Sequence, residues 1–433
     1  MRETLIERIR ARQACVSVIG LGYVGLPLAV EFAKAGLKTI AFDIDAEKVE
    51  KINRGESYIG DVQDDEVQAL TATGHLIATT DFSELANVDT IDICVPTPLR
   101  KTGDPDLSHV ISAVDEITKH LHPDQLVILE STTYPGTVEE VVRPKLESGG
   151  LKAGIDFYLA FSPERVDPGN AQWKTRNIPK VVGGVDDAST EVATLLYEQI
   201  VDAVVPVSST TVAEMVKLLE NTFRAVNIGL ANELALMCAR LDVDVWEVIE
   251  AAKSKPFGFM PFYPGPGLGG HCIPIDPFYL SWKAKQKGFE SRFIELAGHI
   301  NAGMPRYVVE RVSDALNSLS LAINGSRVHL LGVAYKPEVS DIRESPAIDI
   351  ALLLQERGAV LSYSDPYVPH FSEKTLTLDS VDSETALTEG VDCAVIVTHH
   401  RGFDYADIAR RAPVVVDTRN ALKDVAHGNI FKL

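Results

Sequence analysis

Residues 15–45 read CVSVIGLGYVGLPLAVEFAKAGLKTIAFDID, and the pattern in this stretch gives the clearest indication of the fold of the N-terminal part of the chain. A β-rich run over 15–19 meets a glycine turn, and an apolar helical pattern follows from about Leu26 to Ala35. Gly36 ends this pattern, and a second strand-like run begins behind it. The order of strand, glycine turn, helix and strand predicts a βαβ unit.

Both ends of the chain follow this plan. Further strand-like runs, TIDICVP, LVILEST, FYLAFSPE and KVVGG, extend a doubly wound α/β domain to about Val205. Residues 326–368 again run strand, glycine turn, helix, strand and aspartate, but without the full glycine fingerprint. We therefore predict a second nucleotide-type domain, for a different ligand. The predicted division is 1–205, 206–322 and 323–433.

The middle of the chain predicts helix. Residues 208–253 read as one long helical stretch, and Thr211 and Glu214 have the spacing of a capping box. A helix of ~30 residues spans ~45 Å, so we expect it to bridge domains or to form a dimer seam. The expected buried face consists of Val212, Met215, Val216, Leu219, Phe223 and Val226.

Composition limits the classes of partner. Asp plus Glu outnumber Lys plus Arg by 61 to 41, and the net charge of −20 argues against nucleic acid and anionic membranes. A small phosphorylated ligand remains possible. The charged start lacks the apolar core of a signal peptide, so we expect a cytoplasmic protein. Of the five cysteines, all but Cys272 are expected to be small buried hydrophobes.

The glycine turn predicts a dinucleotide site. Gly20, Gly22 and Gly25 form GxGxxG directly after a strand and at the start of a helix, where backbone NH groups meet a pyrophosphate. Asp43 ends the second strand, and a carboxylate there binds a ribose diol and repels the 2′-phosphate of NADP. NAD is therefore the expected cofactor, with a flavin as the competing candidate.

Cys272 lies in GPGLGGHCIPIDP, residues 265–277, a loop that suits neither helix nor strand. The thiol is structural, a metal ligand beside His271, or a nucleophile. The sequence contains no CxxC or HExxH, which disfavours a metal. Beside an NAD site, a nucleophilic cysteine indicates oxidation at the aldehyde level, with a thioester that water cleaves.

Further polar residues fit this chemistry. Lys217, Asn221 and Arg224 form one stripe on the long helix, which is either functional or a solvated face. Lysine and asparagine can stabilise an oxyanion, and Asp276 and Glu164 can act as bases or hold a water.

One motif is treated as a decoy. Tyr279 and Lys283 match the YxxxK pair of short-chain dehydrogenases, but the glycine motif of that family has a different spacing. We therefore expect Tyr279 to be structural.

These motifs, in order, resemble the UDP-glucose/GDP-mannose dehydrogenase family. The resemblance spans almost the whole chain and includes ESTTYPGT, FSPERVDPG, EMVKLLENTFRAVNI and GVAYKPEVSDIRESPA. It implies oxidation of the C6 alcohol of a nucleotide sugar to a carboxylate with two NAD and no metal. It also implies a UDP-sugar-binding C-terminal domain, a homodimer or higher homo-oligomer, and a setting in polysaccharide biosynthesis such as that of lipopolysaccharide O-antigen.

The resemblance also implies site residues. Thr133 is an alternative to Thr132, because ESTT offers both. The implied catalytic positions are Cys272, Lys217, Asn221, Asp276, Glu164 and Thr132. The implied cofactor positions are Gly20, Gly22, Tyr23, Val24, Gly25, Asp43, Pro96, Thr97, Thr132 and Arg343. The implied substrate positions are Glu164, Arg165, Val166, Lys217, Asn221, Phe262, Tyr263, Gly267, Leu268, Tyr335, Lys336 and Arg419.

The cysteine loop suggests the sugar. UDP-glucose enzymes usually read GGSCFxKD, whereas this chain reads GGHCIPID, which is similar to enzymes that handle 2-acetamido sugars. The flanking segments KPFGFMPFYPGPG and DPFYLSWKA look most like UDP-N-acetylglucosamine 6-dehydrogenases. No arginine lies in 253–270, where UDP-glucose enzymes often have one. UDP-GalNAc, UDP-ManNAc and UDP-glucose are alternatives within the same chemistry. A nucleotide-sugar epimerase without net oxidation and a non-catalytic NAD-binding regulator are alternatives from other classes.

Overall fold

The computed structural model describes residues 2–100, 104–167, 170, 172–270, 272–425 and 428–433. The chain folds into two compact units, residues 1–220 and 221–433. The division into three functional segments stays a prediction. Within the described residues, no helix combines the length and apolarity that a membrane span requires.

The first unit is built on one eight-stranded sheet with the order β3-β2-β1-β4-β5-β6-β7-β8. Neighbouring strands are parallel except β6 and β7, which pair antiparallel. The order 3-2-1-4-5-6 is that of the doubly wound fold, which confirms the predicted fold class. The strands are β1 (Cys15–Ile19), β2 (Lys38–Phe42), β3 (Leu76–Thr79), β4 (Thr90–Ile93), β5 (Leu126–Leu129), β6 (Tyr158–Phe161), β7 (Lys180–Gly184) and β8 (Val204–Val207).

Helices cover both faces of this sheet. Strands β1, β4, β5 and β6 are buried along their whole length, as expected for a sheet covered on both sides. Two apolar clusters form the core. The helices are α1 (Arg2–Arg10), α2 (Gly25–Lys34), α3 (Ala46–Asn53), α4 (Asp64–Ala72), α5 (Ser108–His120), α6 (Arg143–Glu147) and α7 (Asp187–Tyr197).

The second unit contains a parallel five-stranded sheet with the order β10-β9-β13-β14-β15. A separate hairpin pairs β11 with β12. The strands are β9 (Arg327–Leu331), β10 (Val360–Ser364), β11 (His370–Glu373), β12 (Leu376–Asp379), β13 (Cys393–Ile396), β14 (Val414–Asp417) and β15 (Ile430–Lys432). This arrangement confirms the predicted second α/β domain.

The long helix α8 (Thr210–Leu241) begins in the first unit and continues into the second. The other helices of the second unit are α9 (Val245–Lys253), α10 (Asp276–Gln286), α11 (Arg292–Ser318), α12 (Pro346–Glu356), α13 (Ser383–Glu389) and α14 (Tyr405–Arg411). The prediction of one helix over 208–253 is wrong. Asp242 adopts a left-handed conformation, and the Asp244 carboxylate accepts hydrogen bonds from the NH groups of Trp246 and Glu247. These local bonds end α8 and start α9.

The two domains share a turn device. In the first unit, Oδ2 of Asp43 accepts a hydrogen bond from the NH of Leu21 at 2.8 Å. In the second, Oδ2 of Asp365 accepts hydrogen bonds from the NH groups of Val333 and Ala334 at 2.7 and 3.0 Å. In both cases the aspartate that follows the second strand fixes the turn after the first strand. The repeat seen in the sequence is therefore also present in the hydrogen bonding.

Most of the predicted buried face of α8 lies on the surface of the single chain. Four residues of the expected buried face are exposed, namely Val212 (41%), Met215 (38%), Leu219 (59%) and Phe223 (46%). The side chains of Glu214, Lys217 and Asn221 are instead buried. The polar side of this helix faces inwards because its side chains have buried partners, which are described below.

The predicted capping box is also absent. The carboxylate of Glu214 accepts hydrogen bonds from the NH groups of Gly136 and Val138, at 2.5 and 2.9 Å, and not from the start of its own helix. The cysteines behave as expected. Cys15, Cys94, Cys238 and Cys393 are buried, and Cys272 is exposed.

Candidate active site

The three glycines of the first turn have different surroundings. Gly20 has φ +94°, and a Cβ on it would lie 2.7 Å from the carbonyl oxygen of Cys94. A Cβ on Gly25 would lie 1.9 Å from the carbonyl oxygen of Gly20. A Cβ on Gly22 would meet no atom within 4 Å. The fold therefore requires the first and third glycines, and Gly22 leaves open space beside the backbone, as a pyrophosphate site needs.

Asp43 directly follows β2 and is buried. Its carboxylate accepts hydrogen bonds from the NH groups of Leu21 and Asp45, and the Lys48 ammonium lies 3.4 Å away. An ionised carboxylate offers about four acceptor positions, so capacity for a ribose diol remains. The residues at this turn therefore fit NAD.

The remaining cofactor candidates of the first unit lie in two loops. Tyr23, which is 47% exposed, and the partly buried Val24 belong to the glycine turn. Pro96 is exposed and Thr97 is buried, and both follow the end of β4. Strands β1 and β4 are the neighbours where the order of the sheet reverses, and this is where α/β sheets bind ligands.

The ESTT loop follows β5 at the same edge of the sheet. Ser131 donates from its hydroxyl to the carbonyl of Val95 at 2.8 Å. Thr132 is partly buried, whereas Thr133 is buried and its hydroxyl has no hydrogen-bond partner among the described residues. This unpaired hydroxyl favours neither threonine for the catalytic position.

Glu214 ties this loop to α8 through its two bonds to the backbone beyond Tyr134. Burial raises the pKa of Glu214 to about 7, although the two NH groups oppose the shift.

Lys217 and Glu164 are brought together. The Lys217 ammonium donates to the backbone carbonyl of Glu164 at 2.6 Å. The Glu164 carboxylate accepts from the NH groups of Arg165 and Val166 at 2.7 and 2.6 Å. The guanidinium of Arg165 pairs with Glu220 at 2.6 Å. These contacts orient a lysine and a carboxylate at the end of β6.

Behind Glu164 lies a buried charged group that the sequence reasoning missed. The Lys180 ammonium lies 2.9 Å from the Glu130 carboxylate and 3.6 Å from that of Glu164. The Tyr197 hydroxyl hydrogen-bonds Glu130, and lies 2.7 Å from Oδ1 of Asp92. The lysine at the start of the apolar run KVVGG could have indicated this group, because a buried ammonium without a partner is costly.

In the second unit, Cys272 belongs to the turn that starts α10. Its carbonyl accepts hydrogen bonds from the NH groups of Ile275 and Asp276, at 3.1 and 2.8 Å. Asp276 is buried, and its Oδ2 accepts from the Asn221 amide at 2.5 Å. Cys272 and Asp276 are thus joined through the backbone at the start of α10, and Asn221 holds the Asp276 carboxylate.

The glycines before Cys272 allow the loop to pack on the C-terminal domain. A Cβ on Gly270 would lie 2.6 Å from the ring of Tyr335, and a Cβ on Gly265 would lie 2.6 Å from the Arg419 guanidinium. The NH of Gly270 donates to the carbonyl of Arg343 at 3.0 Å. The loop therefore meets three of the predicted ligand-binding residues of that domain.

The cations of this domain differ in environment. Arg419 donates from Nε to the carbonyl of Val397 at 2.8 Å, and burial lowers its pKa to about 10 although Asp417 opposes the shift. The Lys336 ammonium lies 5.8 Å from the centre of the Tyr335 ring. Arg343 is exposed and pairs with Asp341. The partly buried guanidinium of Arg419 is favourable for a phosphate group.

The remaining substrate candidates lie upstream of Cys272. Phe262 packs edge-to-face on Phe223, with ring centres 5.6 Å apart. Tyr263 stacks on Trp246, and its hydroxyl donates to Glu250 at 2.7 Å. Gly267 and Leu268 are partly buried.

Tyr279 and His271 belonged to the alternative interpretations of the sequence. Tyr279 is completely buried in α10, as expected for a structural residue. His271, considered above as a metal ligand, lies outside the described residues. In the part of the chain that the structure describes, no group of three or more His, Cys, Asp or Glu is arranged to hold a metal ion.

The chain is similar along its length to known dehydrogenases. It is 36% identical over 423 residues to UDP-N-acetyl-D-mannosamine dehydrogenase of Pyrococcus horikoshii, covering 96% of this chain and 98% of that protein. It is 37% identical over 355 residues to UDP-N-acetyl-D-glucosamine 6-dehydrogenase of Pseudomonas aeruginosa, covering 82% and 83%. A solved structure of UDP-D-ManNAc dehydrogenase from Pyrococcus horikoshii matches with a TM-score of 0.89 and 33% identity, covering 96% and 98%.

Three family models match in order along the chain. The NAD-binding domain of the UDP-glucose/GDP-mannose dehydrogenase family matches residues 14–201, the central domain matches 211–303, and the UDP-binding domain matches 329–424. The cofactor is therefore NAD, and the chain is an oxidoreductase that acts on UDP-sugars. With its glycine turn, its cysteine loop and its two nucleotide-type domains, the chain belongs to the UDP-glucose/GDP-mannose dehydrogenase family.

Proposed function

We propose that this enzyme oxidises C6 of a UDP-2-acetamido sugar, with UDP-N-acetylglucosamine as the first candidate, to the uronic acid. The observation that carries the proposal is the exposed Cys272 in the turn that starts α10, with Asp276 held there by Asn221. A nucleophilic thiol is needed when the oxidation must pass the aldehyde stage. An epimerase needs no such thiol.

In the proposed reaction, Lys217 stabilises the developing alkoxide of the C6 alcohol, and an aldehyde forms. The thiolate of Cys272 adds to the aldehyde carbon and gives a thiohemiacetal, whose oxyanion Asn221 and Lys217 stabilise. NAD, when bound, takes up two electrons in each of the two oxidations. Loss of the second pair from the thiohemiacetal leaves a thioester on Cys272.

Water then cleaves the thioester. Glu164 accepts a proton from the water, the oxygen of the water bonds to the acyl carbon, and the carbon–sulfur bond breaks. Asp276 orients the sulfur, which leaves as the thiolate that starts the next cycle. The sum is one alcohol, two NAD⁺ and one water converted to one carboxylate, two NADH and three protons.

The choice of sugar rests on the cysteine loop and on the relatives. The GGHCIPID sequence and the lack of arginine in 253–270 support a 2-acetamido sugar over UDP-glucose. UDP-N-acetylmannosamine is the second candidate, because relatives with that name match 96% and 94% of this chain. We further propose a cytoplasmic location and a role in polysaccharide biosynthesis, including that of O-antigen.

The sugar preference can be measured with initial rates of NADH formation. We expect kcat/KM to be highest for UDP-N-acetylglucosamine and lower for UDP-glucose, because one missing favourable contact typically costs about 1–3 kcal/mol. UDP-N-acetylmannosamine and UDP-N-acetylgalactosamine complete the panel. A higher kcat/KM for either would keep the chemistry and replace the sugar. No NADH with any member would favour an epimerase or a regulator.

The nucleophile is tested with Cys272→Ser. The weaker nucleophile should lower turnover by several orders of magnitude, and an ester adduct of the sugar should accumulate on residue 272, visible in the intact mass. Cys238→Ser is the matched control, since that thiol is buried in α8 and has no proposed role. Undiminished turnover in Cys272→Ser would refute the assignment.

The cofactor turn is tested with two glycine variants. Gly25→Ala places a methyl group 1.9 Å from a backbone oxygen and should destabilise the fold by about 1–3 kcal/mol. Gly22→Ala meets no protein atom, so the unfolding midpoint should stay the same while the Kd for NAD rises. An unchanged Kd for NAD in Gly22→Ala, measured by calorimetry, would contradict the proposed contact.

We also propose that the exposed apolar face of α8 is covered by a second copy of the chain. Leu219, Leu230, Met237 and Leu241 are each more than half exposed on this one helix, at 59%, 52%, 51% and 65%. A contiguous apolar surface of this kind is rarely left in water.

The dimer proposal is tested by sedimentation. Leu219→Glu should convert the dimer to a monomer at micromolar concentration, because a charge in an apolar interface is unpaired. Ile155→Glu changes a similarly apolar residue that is 76% exposed outside α8, and it should leave the dimer intact. A wild-type monomer would dismiss the proposal.

A further inference from the structure

A chain of buried polar groups runs through the first unit behind the proposed water-activating carboxylate. It consists of Asp92 on β4, Tyr197 on α7, Glu130 after β5, Lys180 at the start of β7 and Glu164 after β6. Of these, only Glu164 is more than a tenth exposed. A buried ion pair contributes little to stability over an apolar core, so the cost of this group calls for another explanation.

The hydrogen bonds of Tyr197 fix the protons of this chain. Its one hydroxyl lies within hydrogen-bond distance of both Asp92 and Glu130. A hydroxyl donates one proton, so the second carboxyl must donate to it. Burial raises the pKa of both carboxyls, and the nearby charge of Glu130 raises that of Asp92 further. Glu130 has the Lys180 ammonium 2.9 Å away, which opposes its shift, so Asp92 is the protonated member. Tyr197 therefore donates to Glu130, and Glu130 carries the negative charge.

Lys180 balances the charge at the other end. Burial alone would lower its pKa, but the charges of Glu130 and Glu164 raise it, so it stays an ammonium. The ammonium also lies 4.8 Å from the centre of the Tyr197 ring, which limits its movement. Its position depends on the antiparallel pairing of β6 with β7. Phe161 at the end of β6 pairs with Gly183, and this register, continued past β6, brings Lys180 at the start of β7 beside Glu164.

We propose that Lys180 is a positioning residue that holds the Glu164 carboxylate in place for hydrolysis of the thioester, while Glu130 anchors the ammonium. The inference rests on the proposed function. In the step itself, water adds to the acyl carbon, its proton passes to Glu164, and the thiolate of Cys272 leaves. Glu164 accepts that proton as a carboxylate, and the ammonium 3.6 Å away holds its Oε2 in place.

The other cations near Glu164 bind partners other than its carboxylate. The Lys217 ammonium binds its backbone carbonyl, not its carboxylate. The guanidinium of Arg165 is paired with Glu220. Two NH groups donate to one carboxylate oxygen, Oε1, and Oε2 is the oxygen that faces Lys180. Lys180 is thus the cation whose removal changes the charge balance at this carboxylate most directly.

The test measures the decay of the acyl group on Cys272 as a function of pH, by rapid quench and intact mass. In Lys180→Gln, loss of the cation should move the rise of the hydrolysis rate to higher pH by about 1–3 units. On the rising limb of the profile hydrolysis should slow by about tenfold or more, and the thioester adduct should accumulate there. Lys180→Arg should restore the wild-type profile in large part.

Glu130→Gln provides the opposite change. Without Glu130, the ammonium has Glu164 as its remaining carboxylate neighbour, and a nearby negative charge is gone. The rise of the hydrolysis rate should therefore move to lower pH, and this variant decides the question if Lys180→Gln does not fold. A purely structural role would not shift the two profiles in opposite directions. Shifts in the same direction, or none, would overturn the proposal.

Tyr197→Phe is the control for stability. It removes the hydroxyl that joins Asp92 to Glu130 but leaves the ammonium between Glu130 and Glu164. We expect a lower unfolding midpoint with an unchanged hydrolysis profile. The same experiment separates failure of the proposed function from failure of the Lys180 role. If wild-type enzyme forms no acyl adduct, the proposed function fails, whereas an adduct whose decay ignores Lys180 and Glu130 defeats this inference alone.

Discussion

The inward-facing polar side of α8 is the constraint on which the functional loops depend. Glu214 bonds the loop after β5, and Lys217 bonds the carbonyl of Glu164. Further along, Asn221 bonds Asp276 beside Cys272, and Asn232 accepts from the NH of Gly265 at 2.9 Å. Within each unit, residues of this helix therefore bond to loops that carry the proposed chemistry. Buried polar groups of this kind must be satisfied, and the loops satisfy them.

This arrangement has a consequence for the other side of the helix. The inward face holds polar side chains, small residues such as Ala213 and Ala225, and Leu218, and several large apolar side chains are left exposed on the other side. A helix with this distribution is not explained by the folding of a single chain. It is explained if the outer face is an interface, as we propose. Opposite faces of the same helix then hold the proposed catalytic groups and form the proposed interface.

Part of this could be predicted from sequence. The βαβ pattern, the glycine spacing and Asp43 led to the correct fold class and to NAD, because strand and turn signals are local. The sequence did not show that the apolar stripe of α8 lies on the surface of the single chain, because such a stripe does not say whether the same chain or another one covers it. The antiparallel β7 and the Lys180 group were not predicted, because they depend on the order and direction of strands far apart in sequence. The roles of individual site residues stay predictions.

The four-electron oxidation is tested by counting the NADH molecules that form from each molecule of UDP-sugar. The UDP-sugar is limiting, NAD is in excess, and the reaction is followed to completion by absorbance. We expect two NADH and a uronic acid product, because the thiol of Cys272 carries the oxidation past the aldehyde. A value of one, with an aldehyde as the product, would contradict it, since no thioester would then form and neither Cys272 nor Glu164 would have the role assigned to it.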